Sequence, residues 1–268
     1  MLVICYKYHF EIGGKDMNKP IVFISHITEE KELAIELKRL IEESFLGMLE
    51  VFVSSDEDSI ASGSRWLDNI TEALKNCVIE LILCSPESVK RPWINFEAGA
   101  GWIREINVIP LCHSGMEVSK LPIPLNLLQA VKISEISSLK LIFPVLASAI
   151  DAKCPKITFD EFVNRVKQLE EKYTYWNEIN KRLTEFESKY VKIFNVLKER
   201  DIVADLQETD LRELQRILSW FIEKEYVSFQ ETCSVALTQE GLFKKIVINA
   251  TREYRRLFCM KECVFYRK

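Results

Sequence analysis

Between Pro20 and about Ile150, short apolar runs alternate with stretches whose apolar residues recur every three or four positions. That change of period predicts strands alternating with helices. "IVFISH" has strand length, and "TEEKELAIELKRLIEESF" follows as a helix with Leu33, Leu37, Leu40 and Ile41 on one face and Thr28 as N-cap. "LEVFVSS" is a second strand, the polar "DEDSIASGS" a loop, and "RWLDNITEALKNC" a helix presenting Trp66, Ile70, Ala73 and Leu74 on one side. "VIELILCS" is apolar on both faces, as a central parallel strand must be. "PWINFEAGAGWIRE" makes a third helix with Pro92 in its first turn, and "NVIPLCHSG" a fourth strand. Strand and helix in repeated order predict an α/β fold over residues 19–150, a doubly wound parallel sheet with right-handed crossovers and helices on both faces.

The pattern changes after "AKCPK". No proline follows Pro155 and the only later glycine is Gly241, so helix breakers are nearly absent. Apolar residues at Phe162, Val166, Leu169, Tyr173, Trp176, Ile179, Leu183, Phe186, Tyr190, Ile193 and Leu197 form a helical seam over 156–200. Two readings of the seam stand: a long helix or hairpin packed on the first domain, or a coiled coil that joins two chains. Over 201–268, "DLRELQRILSWFIEKE" is an amphipathic helix, "YVSFQ" and "SVALT" are two short strands, and "TQEGLFKKIVINA" starts a further helix capped by Thr238. This C-terminal domain is expected to be mainly α.

Composition narrows the class. A net charge of −4 predicts no general affinity for nucleic acid or an anionic membrane surface. No run reaches the roughly 18 apolar residues that a bilayer span needs. The eight cysteines include no CxxC pair, and the three histidines are scattered, so the thiols read as reduced and cytoplasmic and no metal site is expected. Residues 1–18 are an N-terminal extension. "GGKDM" has the form of a translated ribosome-binding region, which makes Met17 the expected natural start and residues 1–16 disordered or an artefact of annotation.

Helix, paired strands and "LTQEG" over Phe186 to Ile248 resemble a winged-helix domain. Asp210, Glu213, Glu223 and Glu225 offset Arg212, Arg216 and Lys224 on the helix that would read DNA, so an assembly role is favoured over DNA binding. The basic strip Lys244, Lys245, Arg252, Arg255 and Arg256 is what speaks for DNA.

In the first domain, "IVFISH", "DEDSIASGSRW", "WLDNITEAL", "LILCSPESV", the W-x-x-x-E of Trp93 to Glu97 and "VIPLC" occur in an order that resembles a bacterial Toll/interleukin-1 receptor (TIR) domain over about residues 19–135. The resemblance implies the flavodoxin-like fold. It also implies an NAD-cleaving site of the antiphage-defence type, with Glu97 catalytic and Trp93 one helical turn away. NAD+ would be the substrate rather than a bound cofactor. Ligands of such sheets bind outside the carboxyl ends of the strands, which makes Ser25, His26 and Ser55 candidate substrate contacts. The Trp93 indole can pack against the nicotinamide or its ribose, and the resemblance implies further contacts from Gly63, Arg65 and Trp66 in the loop that covers the family's site. Homo-oligomers through the TIR domain and the C-terminal helices, and a partner protein of a defence system, are expected with it.

The chemistry stands on the residues as well. The nicotinamide of NAD+ is already cationic and leaves neutral, so no general acid is required. A carboxylate facing the oxocarbenium-like ribose supplies what the step needs. Plainer roles compete at each position. Glu97 could pair with Arg91 or Arg104, Trp66 could be a core residue, Ser85 and Pro86 could only start a turn, and His26 could lie at the surface. Three functions follow: an NAD+ glycohydrolase or ADP-ribosyl cyclase, a non-catalytic TIR adaptor, or a winged-helix regulator whose first domain senses a nucleotide. Gly99 and Gly101 together cost a helix about 2 kcal/mol relative to alanine, which implies close approach of a backbone or a ligand to this helix.

Overall fold

The structure, a computed structural model, describes residues 19–54, 66–238 and 241–265. The chain divides into two compact units, residues 1–169 and 170–268.

In the first unit, β1 (Ile21–Ser25), α1 (Lys31–Ser44), β2 (Glu50–Val53), α2 (Trp66–Asn76), β3 (Cys77–Cys84), α3 (Pro92–Ile103), β4 (Asn107–Cys112), β5 (Val131–Lys132) and α4 (Ile136–Ser148) follow in turn. The strands form one five-stranded sheet in the order β2-β1-β3-β4-β5, and each pair is parallel. This is the doubly wound order the alternating pattern predicts. The order reverses between β1 and β3, which leaves a crevice outside their carboxyl ends where ligands of such sheets bind.

Side chains of β3 explain its central place. Ile79, Leu81 and Leu83 enter one core with Val22, Ile24, Leu111 and the helices α1 and α4, while Ile82 and Cys84 enter another under α3. Phe159, Phe162, Val163 and Val166 extend the first core beyond residue 150. The last three belong to the start of α5 (Asp160–Lys189), so the seam's first turns are already buried within this unit. Thr28 does not cap α1. It lies in a 3-10 turn, Thr28–Glu30, and the Glu30 carboxylate accepts the Ile27 backbone N–H at 3.3 Å instead.

The second unit holds the rest of α5, then α6 (Val191–Glu199), β6 (Ile202–Gln207), α7 (Glu208–Glu223), β7 (Val227–Thr238), β8 (Gly241–Ala250) and α8 (Arg252–Phe265). Its antiparallel sheet has the order β6-β8-β7. Two expectations are corrected. "GLFKKIVINA" is a strand and not a helix capped by Thr238, which is the last residue of β7. Ile246, Ile248 and Ala250 are buried in alternation with half-exposed Val247 and Asn249, a period of two that β-branched residues favour. "YVSFQ" and "SVALT" belong to one strand, whose ladder shifts register between Glu231 and Val235. That bulge interrupts the alternation and makes one strand read as two.

The core of this unit is aromatic. Phe194 is fully buried, edge-on to Phe186 at 5.4 Å and to Phe258 at 5.4 Å. Phe194→Ala is expected to lower the unit's stability by about 3–5 kcal/mol, read from its melting transition by calorimetry. Ile179, Leu183 and Phe186 of α5 join the same core, so this part of the seam is also used within the chain.

Candidate active site

Position 25 ends β1 and position 97 lies two turns into α3, and the fold brings them together. Glu97 is 0% exposed. One carboxylate oxygen accepts the Ser25 hydroxyl at 2.5 Å, and the other accepts the Trp93 indole N–H at 2.7 Å. Trp93 and Glu97 stand four residues apart, so the bond runs along one helical face. The helix starts cleanly because Pro92 occupies its first turn, where the missing N–H is not needed. Its inner face is Ile94, Glu97, Ala98 and Gly101, spaced three and four apart, with Glu97 the one ionisable member.

Neither arginine takes up Glu97. Arg91 pairs with Glu29 at 3.4 Å, and Arg104 donates to the Leu74 carbonyl at 2.5 Å and to Cys77 at 3.3 Å. Among the described residues the hydrogen-bond partners of Glu97 are neutral donors, which leave its charge uncancelled. Burial pushes its pKa up from 4.5 to about 7, and the bonds from Ser25 and Trp93 act in the opposite sense. A carboxylate poised near neutrality at a switch-point crevice is a candidate reactive group.

The other expected contacts sort as follows. His26 is buried at the end of β1, its Nδ1 3.1 Å from the Ser54 hydroxyl at the end of β2. Ser25, His26 and Ser54 thus share the carboxyl end of the sheet. Ser55, Gly63 and Arg65 lie outside the described residues, as does the side chain of Trp66, the first residue of α2. Ser85 serves a turn: its hydroxyl accepts the Ser88 N–H at 3.1 Å and the Glu87 N–H at 3.3 Å. Trp93 also stacks on Phe96 at 5.0 Å, and Phe96 is 60% exposed, an apolar rim beside the carboxylate. A cleft of about 740 Å³ near Asn76, Arg104, Asn107 and Ser148 opens at the amino ends of β3 and β4, the opposite end of those strands from the crevice.

Two groups escaped the reading of the sequence. Glu80, in the middle of β3, is fully buried and neither of its oxygens has a hydrogen-bond partner among the described residues. The signal was present as one acid inside an apolar strand. At the strand ends, His113 Nε2 lies 3.2 Å from Glu30 Oε1, both buried, with His113 Nδ1 3.0 Å from the Ser114 hydroxyl. The glycines divide. A Cβ at Gly101 would lie 2.2 Å from Glu80 Oε2 and 2.6 Å from a Val108 methyl, whereas among the described residues nothing lies within 4 Å of one at Gly99. A side chain therefore explains Gly101, and no described residue of the chain approaches Gly99 closely.

Residues 22–140 match the family described as TIR domain. Among solved structures, the chain is similar to the TIR domain of the Toll-related receptor TRR-2 from the lower metazoan Hydra magnipapillata. The two share 19% identity over 48% of this chain and 97% of that one, with a TM-score of 0.39. No curated protein matches the chain. Among the described residues, no helix is long and apolar enough to cross a membrane.

Proposed function

With residues 22–140 a TIR domain, we propose that the protein cleaves the nicotinamide–ribose bond of NAD+, with Glu97 as the catalytic carboxylate. The observation that carries this reading is the buried Glu97, held by two neutral donors at the switch-point crevice with its charge uncancelled. The glycosidic bond breaks with its electron pair passing to the nicotinamide nitrogen, which becomes neutral. Glu97, ionised, faces the ribosyl cation that remains. Attack by water gives ADP-ribose and a proton, and attack by a nitrogen of the substrate's own adenine gives a cyclic product. His26 would stand near the ribose or phosphates, and Ser55, Gly63, Arg65 and Trp66 would complete the site from the 55–66 segment. Antiphage defence, a cytoplasmic location and homo-oligomers belong to the same proposal.

The resting geometry bears on activation. Each Glu97 oxygen already holds one donor and the side chain is 0% exposed, so a ribose can reach it only after the side chains around it move. Assembly of copies or docking of a partner protein would supply that movement. The same burial favours a second reading, a non-catalytic adaptor in which Glu97 is a latch joining α3 to β1. Chromatographic detection of nicotinamide from NAD+, with and without the activating partner or phage infection, separates the two. Turnover that Glu97→Gln abolishes supports the enzyme, and none under any condition leaves the adaptor.

Ser25→Ala is expected to move the pH of half-maximal activity upward from about 7, because the lost hydroxyl bond is one that favours the ionised form. A pH–rate profile of the two proteins checks the direction of the shift.

In the second unit, the order of two helices, strand, helix and paired strands supports a winged-helix reading. Four of its cations, two of them in the basic strip, pair with neighbouring acids. Arg212 pairs with Glu208, Arg216 with Glu185, Lys244 with Glu208 and Glu231, and Arg255 with Asp201. Such pairing lowers the charge these residues offer to phosphates and supports assembly over DNA binding.

A further inference from the structure

The unexplained group in the first unit is Glu80. It is 0% exposed, its two oxygens lack hydrogen-bond partners among the described residues, and it lies in β3 with Phe23 of β1 and Val108 of β4 as ladder neighbours. A lone buried carboxylate would be costly to hold in such surroundings, and a carboxylic acid is much less so. Its place is specific. The carboxyl occupies the space that any side chain at position 101 would need, and position 101 follows Glu97 by four residues on the inner face of α3. The acid is therefore part of the seat on which the catalytic helix rests, one turn from Glu97.

We propose that Glu80 is a positioning residue for the Glu97 site: its un-ionised carboxyl seats α3 on the sheet at Gly101, and loss of its proton unseats the helix and disarms Glu97 and Trp93. The inference rests on Glu97 being the catalytic carboxylate. The charges around Glu80 fix the direction. Burial first, and then the negative charge of Glu97, hold its proton on to about pH 9, against the attraction of Arg104. Cys77, at the start of β3, is the further titratable neighbour, and burial pushes its thiol up to about 11. The facing residues of β1 and β4, Phe23 and Val108, carry no charge. Ionised Glu97 thus keeps Glu80 neutral, and the two carboxyls give up their protons in sequence, first at the group that reacts and then at the group that supports it.

The test compares wild type with Glu80→Gln, which keeps the shape without the proton, and Glu80→Met, which keeps the length without polarity. Infrared spectroscopy of the full chain at pH 8, where Glu97 is mostly ionised and Glu80 mostly is not, reads the protonated carboxyl directly and needs no turnover. A band present in wild type and Glu97→Gln but absent from both Glu80 variants is expected. A pH–rate profile of nicotinamide release should be a bell in wild type, rising near pH 7 and falling near pH 9, and both variants should lose the falling limb while keeping the rising one. An unchanged falling limb, or a carboxyl band that persists without Glu80, overturns the proposal. If no nicotinamide is released under any condition, the catalytic reading fails and the disarming role with it, and the infrared band still reports whether Glu80 holds its proton.

Discussion

Replacing Glu97 by glutamine is expected to reduce nicotinamide release by a factor of about a hundred or more, without loss of the fold. The activity term follows from removing the charge that faces the ribosyl cation, where a single electrostatic contact of this kind is worth about 10²–10³ in rate. The stability term has the opposite sign. Glu97 has a raised pKa in the folded chain, so between pH 4.5 and about 7 the folded state holds a proton that the unfolded state has released, and stability falls over that window. Glutamine removes this loss and keeps acceptor and donor atoms for Ser25 and Trp93. Above pH 7 the variant should melt no lower than wild type, and below pH 4.5 the two should converge. Calorimetry at pH 5 and pH 8 with the NAD+ assay reads both terms. A variant that unfolds at both pH values would make Glu97 a latch of the adaptor kind.

The same residues show how far the sequence could be read. Trp93 and Glu97 were legible because helical spacing alone puts i and i+4 on one face, and Ser25 because a strand's carboxyl end is where α/β sheets bind ligands. The alternating order of strands and helices also carried the sheet, since a change from period two to period 3.6 is a local property. β5 has only two residues, too few for any period. β8 was misassigned because "TQEG" has the form of a helix cap, whereas Ile246, Val247 and Ile248 are β-branched and their pairing with β6 and β7 prevails. The seam from Phe162 to Leu197 did not name its partner. Within each unit, apolar residues of α5 are buried in that unit's own core, at Phe162, Val163 and Val166 in the first and at Ile179, Leu183 and Phe186 in the second. Truncation at Lys156 would therefore strip the first unit of packed aromatic and β-branched side chains. A cut after Leu169 respects that core, and is the better variant for asking whether the second unit raises activity by association.

Glu80 shows the limit most clearly. That an acid stands inside "VIELILC" is visible, but which helix position lies above it is a tertiary fact, and so is the reason for Gly101. The consequence is a prediction in which two substitutions repair each other. Gly101→Ala gains about 1 kcal/mol of helix propensity, yet its methyl would sit 2.2 Å from Glu80 Oε2 and 2.6 Å from the β-branched Val108. Val108 is stiff and Glu80 is enclosed, so α3 must shift, at an overpacking cost of about 1–3 kcal/mol. A shift on the order of 1 Å carries Glu97 and Trp93 with it and is expected to lower NAD+ cleavage about a hundredfold. Glu80→Ala in the same chain removes the closer of the two collisions and leaves the one with Val108, beside the space the carboxyl vacates. The double variant should regain part of the lost activity and melt at or above the temperature of Gly101→Ala, with a coupling energy of about 1–3 kcal/mol in the double-mutant cycle. Additive losses in that cycle, by calorimetry and by turnover, would mean that Gly101 is needed for something other than the seat of the Glu80 carboxyl.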